Sequence, residues 1–104
     1  MSAVGVSPSL SAPRAGYWVM VGEVTHATVP ELHEQATTLE LAGDLELDLT
    51  GVERIDSSAL ALLLSLARRA RRSGGKLRIL HAPTGLVSLA ELSGVRSLLA
   101  LTPG

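Results

Sequence analysis

Three adjacent polar residues, Asp56, Ser57 and Ser58, lie between an apolar segment that ends at Ile55 and a leucine-rich segment that follows. If a strand passes into a helix here, their side chains lie at the helix N-terminus. The backbone N–H groups of that end have no partner within the helix, and the helix dipole favours negative charge there. The junction is therefore a candidate recognition site, and a phosphate on Ser57 would add charge without melting the helix. A plain N-cap is the alternative, because Asp and Ser are favoured caps.

The leucine-rich segment predicts a helix with a buried stripe and an unusual outward stripe. The buried stripe follows the i, i+3, i+4, i+7 spacing and comprises Leu60, Leu63, Leu64, Ala67 and Ala70. The outward stripe begins with small or apolar residues, where a solvated face would be rich in Glu, Lys and Gln. A partner backbone can approach such a surface closely, although single exposed apolar residues are also normal. The predicted partner-binding residues are Asp56, Ser57, Ser58, Ala61, Leu62, Ser65, Arg68 and Arg69.

Arginines cluster at the end of this helix, at Arg68, Arg69, Arg71 and Arg72, with Lys76 and Arg78 beyond them. Such a cluster is compatible with binding of nucleic acid or lipid headgroups. The structural alternative is that cations are favourable at a helix C-terminus and that arginine stems cover apolar surface. We favour the structural explanation.

The sequence contains no pattern typical of a catalytic or metal centre. Cysteine is absent, and the three histidines, His26, His33 and His81, lack the spacing of a zinc site. No glycine-rich phosphate loop is present, because Gly74 and Gly75 end a helix instead of opening one. We therefore expect no enzymatic activity, no cofactor and no metal.

Composition limits the partners. The 104 residues suffice for one domain, the formal net charge is −1, and aromatic residues make up only 2%. Nucleic-acid binding is not expected, since neither a global positive field nor stacking platforms are present. No apolar run is long enough for a membrane span, and no secretory signal is recognisable. We expect a cytoplasmic protein that reaches the inner membrane only through a protein partner.

Hydrophobic periodicity predicts alternating strands and helices. Residues 1–15 are expected to form a flexible tail, with a weakly indicated strand at 4–10 as the alternative, and residues 16–104 the domain. The predicted order is a strand at 16–24, a helix from the capping box Thr28–Glu31 to about Leu41, a strand at 45–49, a turn at 50–54, the central helix to Arg72, a strand at 76–81, a helix from Pro83 to before Gly94, and a short strand or turn at 95–101. Crossovers of this length predict an α/β domain with a small, mostly parallel sheet of about four strands and helices packed against it.

The segment L-D-L-T-G-V-E-R-I-D-S-S-A-L-A-L-L-L, residues 47–64, resembles the signature of STAS domains. This fold is shared by anti-sigma-factor antagonists and the cytosolic tails of sulfate transporters. The similarity extends over roughly residues 17–101 and includes G-E-V at 22–24 and P-x-x-x-x-x-L-A-E-L-S-G-V at 83–95.

The resemblance implies two competing roles. In the small STAS subunit of the bacterial lipid-asymmetry (Mla) ABC transporter, the domain binds the ATPase subunit and supports its assembly and activity. In anti-sigma-factor antagonists, the residue that corresponds to Ser57 is phosphorylated by a kinase that is also the anti-sigma factor. The helix that ends in R-R-A-R-R-S-G-G favours the transporter subunit. A binding module for nucleotide or lipid is a third class, which requires a pocket that the sequence does not reveal.

Overall fold

The computed structural model describes residues 8–96 and 99–103, and within these ranges the chain forms five strands and three helices. They are β1 (Ser9–Arg14), β2 (Tyr17–Val24), α1 (Val29–Thr37), β3 (Leu45–Ile55), α2 (Ser58–Arg72), β4 (Leu77–Ala82), α3 (Thr84–Leu92) and β5 (Ala100–Pro103). One sheet contains all five strands in the order of the chain.

The sheet carries one layer of helices. β1 pairs with β2 antiparallel, and the other pairs are parallel with one helix in each connection. Because successive right-handed crossovers in one direction place their helices on the same face, α1, α2 and α3 form a single layer, with α2 in contact with both others. The predicted α/β class with a mostly parallel sheet is confirmed, with five strands instead of about four.

The additional strand is β1, where a flexible tail was predicted. The prediction was wrong for Ser9–Arg14, which lacks a clear alternation but places Leu10, 7% exposed, in the core. Gly16 adopts a left-handed φ of +75°, which closes the tight turn to β2. Residues 1–7 lie outside the described part of the chain.

The strands alternate between a buried face under the helices and a half-buried opposite face. In β2, Trp18, Met20, Gly22 and Val24 are buried, whereas the alternate residues are half-buried. β3 continues to Ile55 through the region predicted as a turn, with two register shifts against β2. These irregularities bend the ladder without ending it.

The sequence signals for helix ends predicted the C-terminal ends of α2 and α3 correctly but were wrong at both ends of α1. The predicted capping box at Thr28 does not form: its Oγ1 donates to the carbonyl of Glu23 at 2.7 Å and accepts from the Thr25 N–H at 3.0 Å. α1 ends at Thr37 instead of about Leu41. By contrast, the predicted glycine stops are confirmed, because Gly74 and Gly94 follow α2 and α3 with φ of +85° and +72°.

Candidate functional site at the start of the central helix

Asp56 organises the junction between β3 and α2. Its Oδ1 accepts a hydrogen bond from the backbone N–H of Ser58 at 2.8 Å, and its Oδ2 accepts one from the backbone N–H of His26 at 3.0 Å. The first bond caps α2, and the second fixes the β2–α1 loop beside the helix start. Asp56 therefore serves as the cap that the sequence predicted for either Asp56 or Ser57.

The same bonds stabilise the charged form of Asp56. The His26 N–H, helped by the Ser58 N–H, lowers the pKa of the Asp56 carboxyl below its ordinary value. The imidazole Nδ1 of His26 lies 3.4 Å from Oδ2, and its side chain is 84% exposed. Sequence analysis missed His26, because the two residues meet only through the parallel pairing of Val24 with Ile55. The sequence offered one indication of this contact: His26 and Asp56 each follow a predicted strand, and parallel strands end at the same edge of a sheet.

Ser57 is exposed and its side chain makes no capping hydrogen bond. Ser58 is half-buried, and Ala61, one turn further along, is exposed. The exposed residues Ser57 and Ala61 have small side chains, so a partner can approach this side of the helix closely. The start of α2 thus combines a hydroxyl, small side chains and the positive end of the helix dipole.

The outward stripe differs from its prediction at Leu62, which is only 2% exposed and belongs to the core. Leu64 and Ala67, predicted to be buried, are half-buried instead. The reason is the position of α2 between α1 and α3, whose packing covers the sides of the helix as well as its sheet-facing stripe. Ser65 is half-buried and Arg68 is exposed, so the outward stripe runs from Ser57 through Ala61 to Arg68.

Arg69, another predicted partner-binding residue, is half-buried and directs its guanidinium towards α1. It donates to the carbonyl oxygens of Ala36, at 2.7 Å, and Leu39. Its guanidinium carbon also lies 5.6 Å from the centre of the Trp18 ring. The group thus satisfies carbonyls at the C-terminal end of α1, which is a structural role, although the prediction concerned the C-terminus of its own helix.

A second polar cluster lies on the sheet face away from the helices. The hydroxyl of Tyr17 donates to Asp48 Oδ2 at 2.6 Å, and both the hydroxyl and the N–H of Thr50 donate to Asp48 Oδ1. The donors, Thr50 first and then Tyr17, lower the pKa of Asp48, and the bond to Asp48 raises the pKa of Tyr17. The cluster joins β2 to β3 and lies apart from the start of α2.

Within residues 8–96 and 99–103, no group of three or more His, Asp or Glu side chains is arranged to hold a metal ion. None of the described helices has the length and hydrophobicity needed to cross a membrane.

These features define a small α/β domain with one helix layer and an open helix N-terminus at the strand ends. A family model described as "Mlab, STAS domain" matches residues 18–101, and the chain therefore belongs to the STAS family. Domains of this family are generally regulatory or adaptor domains that interact with partner proteins such as kinases or ATPases.

Solved structures with the same fold include two forms of one regulator. The anti-sigma factor antagonist SpoIIAA in its unphosphorylated form is 17% identical, with a TM-score of 0.69 over 91% of this chain and 87% of that chain. The Bacillus cell fate determinant SpoIIAA in the phosphorylated form is also 17% identical, with a TM-score of 0.66 over 91% and 90% of the two chains. At this identity the likeness establishes the fold alone. A comparison with curated protein sequences gave no significant match.

Proposed function

We propose that this protein is a non-catalytic adaptor that binds and regulates the ATPase subunit of a phospholipid-trafficking ABC transporter of the Mla type. The observation that carries the proposal is the start of α2, where the small side chains of Ser57 and Ala61 are exposed beside Asp56, which is fixed by its hydrogen bonds. The description of the matching family model supports this choice among STAS roles. The protein would then act in the cytoplasm and meet the inner membrane only through its partner.

The docking surface in this proposal centres on Asp56, Ser57, Ser58 and Ala61 and continues along α2 to Ser65 and Arg68. Small side chains at its centre allow close approach of a partner helix or loop, and the exposed Arg68 supplies charge at its rim. Arg69 lies at the margin, since its guanidinium is engaged with α1.

Co-purification with an Mla-type ATPase subunit from the same organism tests this surface. Ser57→Glu and Ala61→Arg each place a bulky charge on it, and both are expected to abolish co-purification while the circular dichroism spectrum is unchanged. Ser11→Glu and Ser11→Arg are matched controls at an exposed position of the edge strand β1, and they should bind like the unmodified chain. Normal binding by the α2 variants would remove the start of α2 from the interface.

An anti-sigma-factor antagonist controlled by phosphorylation of Ser57 is the second candidate. It is favoured by the exposure of the Ser57 hydroxyl and by the fold shared with SpoIIAA, which is known in both phosphorylation states. Incubation with a partner-switching kinase and ATP distinguishes the two roles. Stoichiometric phosphate that is lost in Ser57→Ala but retained in Ser58→Ala supports the antagonist, and no transfer supports the transporter adaptor.

A further inference from the structure

A cavity of about 330 Å³ lies in the groove between α1 and α2, away from the start of α2. Its polar lining consists of His33 and Thr37 from α1 and Ser65, Arg69 and Arg72 from α2, and no carboxylate lines it. The volume is at the lower end of the roughly 300–1,000 Å³ typical of small-molecule sites. The groove therefore suits a small ligand with negative charge.

Two arginines of the last turn of α2 line the cavity, and hydrogen bonds to α1 engage only one of them. Arg69 already neutralises the end of α1 through its bonds to the carbonyls of Ala36 and Leu39. Arg72 also lines the cavity, is exposed, and forms none of the ion pairs found within the described residues. Its charge is therefore free to meet a ligand.

We propose that this cavity binds a phosphoryl group. The guanidinium of Arg72 offers parallel N–H donors that match the oxygens of a phosphate, while Ser65 supplies a hydroxyl and His33 an imidazole on the opposite wall. A phosphate with a short polyol matches the size of the cavity, whereas acyl chains would have to remain outside it. The ligand is thus either a free phosphate compound or the headgroup of an acidic phospholipid. This inference does not depend on the proposed function.

Titration of the full chain with inorganic phosphate and with glycerol 3-phosphate, followed by calorimetry, tests the free source. Arg72→Gln is expected to raise the dissociation constant at least about tenfold, the loss of one good charge-assisted pair. Arg71→Gln is the matched control, because it removes the same charge from an exposed position of the same helix outside the cavity lining. It should change the dissociation constant less than about twofold on the same scale.

Co-sedimentation with phosphatidylglycerol vesicles, with phosphatidylcholine vesicles as the neutral reference, tests the lipid source. Binding in either assay supports the proposal if Arg72→Gln weakens it and Arg71→Gln does not, and the assay that responds identifies the source. Equal losses in the two variants indicate general charge attraction and overturn the proposal. Absence of saturable binding in both assays also overturns it. Ser65→Leu fills the cavity without changing its charge and should also weaken ligand binding. This variant tests the cavity even if Arg72→Gln impairs folding.

Discussion

Oδ2 of Asp56 accepts a hydrogen bond from the backbone N–H of His26 at 3.0 Å, across 30 residues of chain. The other oxygen of the same carboxylate caps α2 at Ser58. One side chain thus fixes both the loop and the helix that form the proposed docking surface. The structure of this surface should depend on Asp56 more than on the hydroxyl of Ser57, whose side chain forms no cap.

Replacement of Asp56 by Ala is expected to lower the melting temperature by several degrees, because two backbone donors lose their acceptor. Amide hydrogen exchange should accelerate at His26 and Ser58. Asp56→Asn retains a side-chain oxygen and should lose less on both measurements. Unchanged exchange at His26 in the Ala variant would show that the loop is held by other contacts.

Leu62 and Ala61 are neighbours in sequence with opposite environments, because Leu62 is 2% exposed and buried in the core whereas the side chain of Ala61 is exposed. Leu62→Ala should destabilise the protein by about 2–5 kcal/mol, the usual range for a core leucine, in chemical denaturation. Ala61→Arg should change stability by less than about 0.5 kcal/mol, as is typical of surface positions. If Ala61→Arg were strongly destabilising, its effect on partner binding could not be assigned to the interface.

Arg69 joins α2 to the end of α1 through charge-assisted hydrogen bonds. Arg69→Ala is expected to cost about 2 kcal/mol in the free energy of unfolding, because two carbonyls lose a charged donor. Amide exchange should increase in the last turn of α1. Arg71→Ala provides the comparison at an exposed position of the same helix and should stay within about 0.5 kcal/mol. Equal effects of the two substitutions would contradict the capping role.

Gly75 allows two connections to approach each other. A Cβ at this position would overlap the carbonyl carbon of Gly43 and the nitrogen of Asp44, both of which are backbone atoms. Gly75→Ala should therefore cost about 1–3 kcal/mol, the range for overpacking. At Gly85, in the first turn of α3, a Cβ would lie 3.6 Å from Ile55 Cγ2, an ordinary contact. Gly85→Ala should be neutral or should stabilise by up to about 1 kcal/mol, and urea denaturation measures both changes.

The acid sensitivity of the fold should depend on Asp48. Its pKa is lowered in the folded state, so its contribution to stability is present above the ordinary value of about 3.9 and is lost as the pH falls below it through the folded pKa. Thr50→Val removes the hydroxyl donor and should raise the pKa of Asp48 towards its ordinary value in an NMR titration. The loss of stability on acidification should then become smaller. Thr37→Val is the control, since its hydroxyl donates to the Glu34 carbonyl and not to a carboxylate.

Local signals were sufficient for the parts of the fold that one segment determines by itself. The 3.6-residue period gave α2, and the glycines after α2 and α3 gave their C-terminal ends, since a left-handed residue favours glycine in any context. The strand β1 was missed because its pairing with β2, and not its own pattern, makes it a strand. The capping box failed because Thr28 found a competing acceptor in Glu23, five residues earlier.

The candidate site was predictable in position but not in detail. The polar junction after an apolar strand located Asp56 and Ser57, because strand ends and helix starts coincide there. The burial of Leu62 depends on the helices that flank α2, and the bond from His26 depends on the register of two strands. Neither the neighbours of a helix nor strand register can be obtained from periodicity within one segment.

The strands lie in the sheet in the same order as in the sequence, and this has a consequence for folding during synthesis. Each parallel strand pairs with the strand that precedes it, so the sheet can grow by one strand–helix unit at a time as the nascent chain leaves the ribosome. Units of this size take on the order of seconds to translate, whereas helices and hairpins form within microseconds. At each stage, the partly synthesised chain therefore exposes the unpaired edge of its newest strand. The edge of β4 in particular can pair with other chains until β5 emerges.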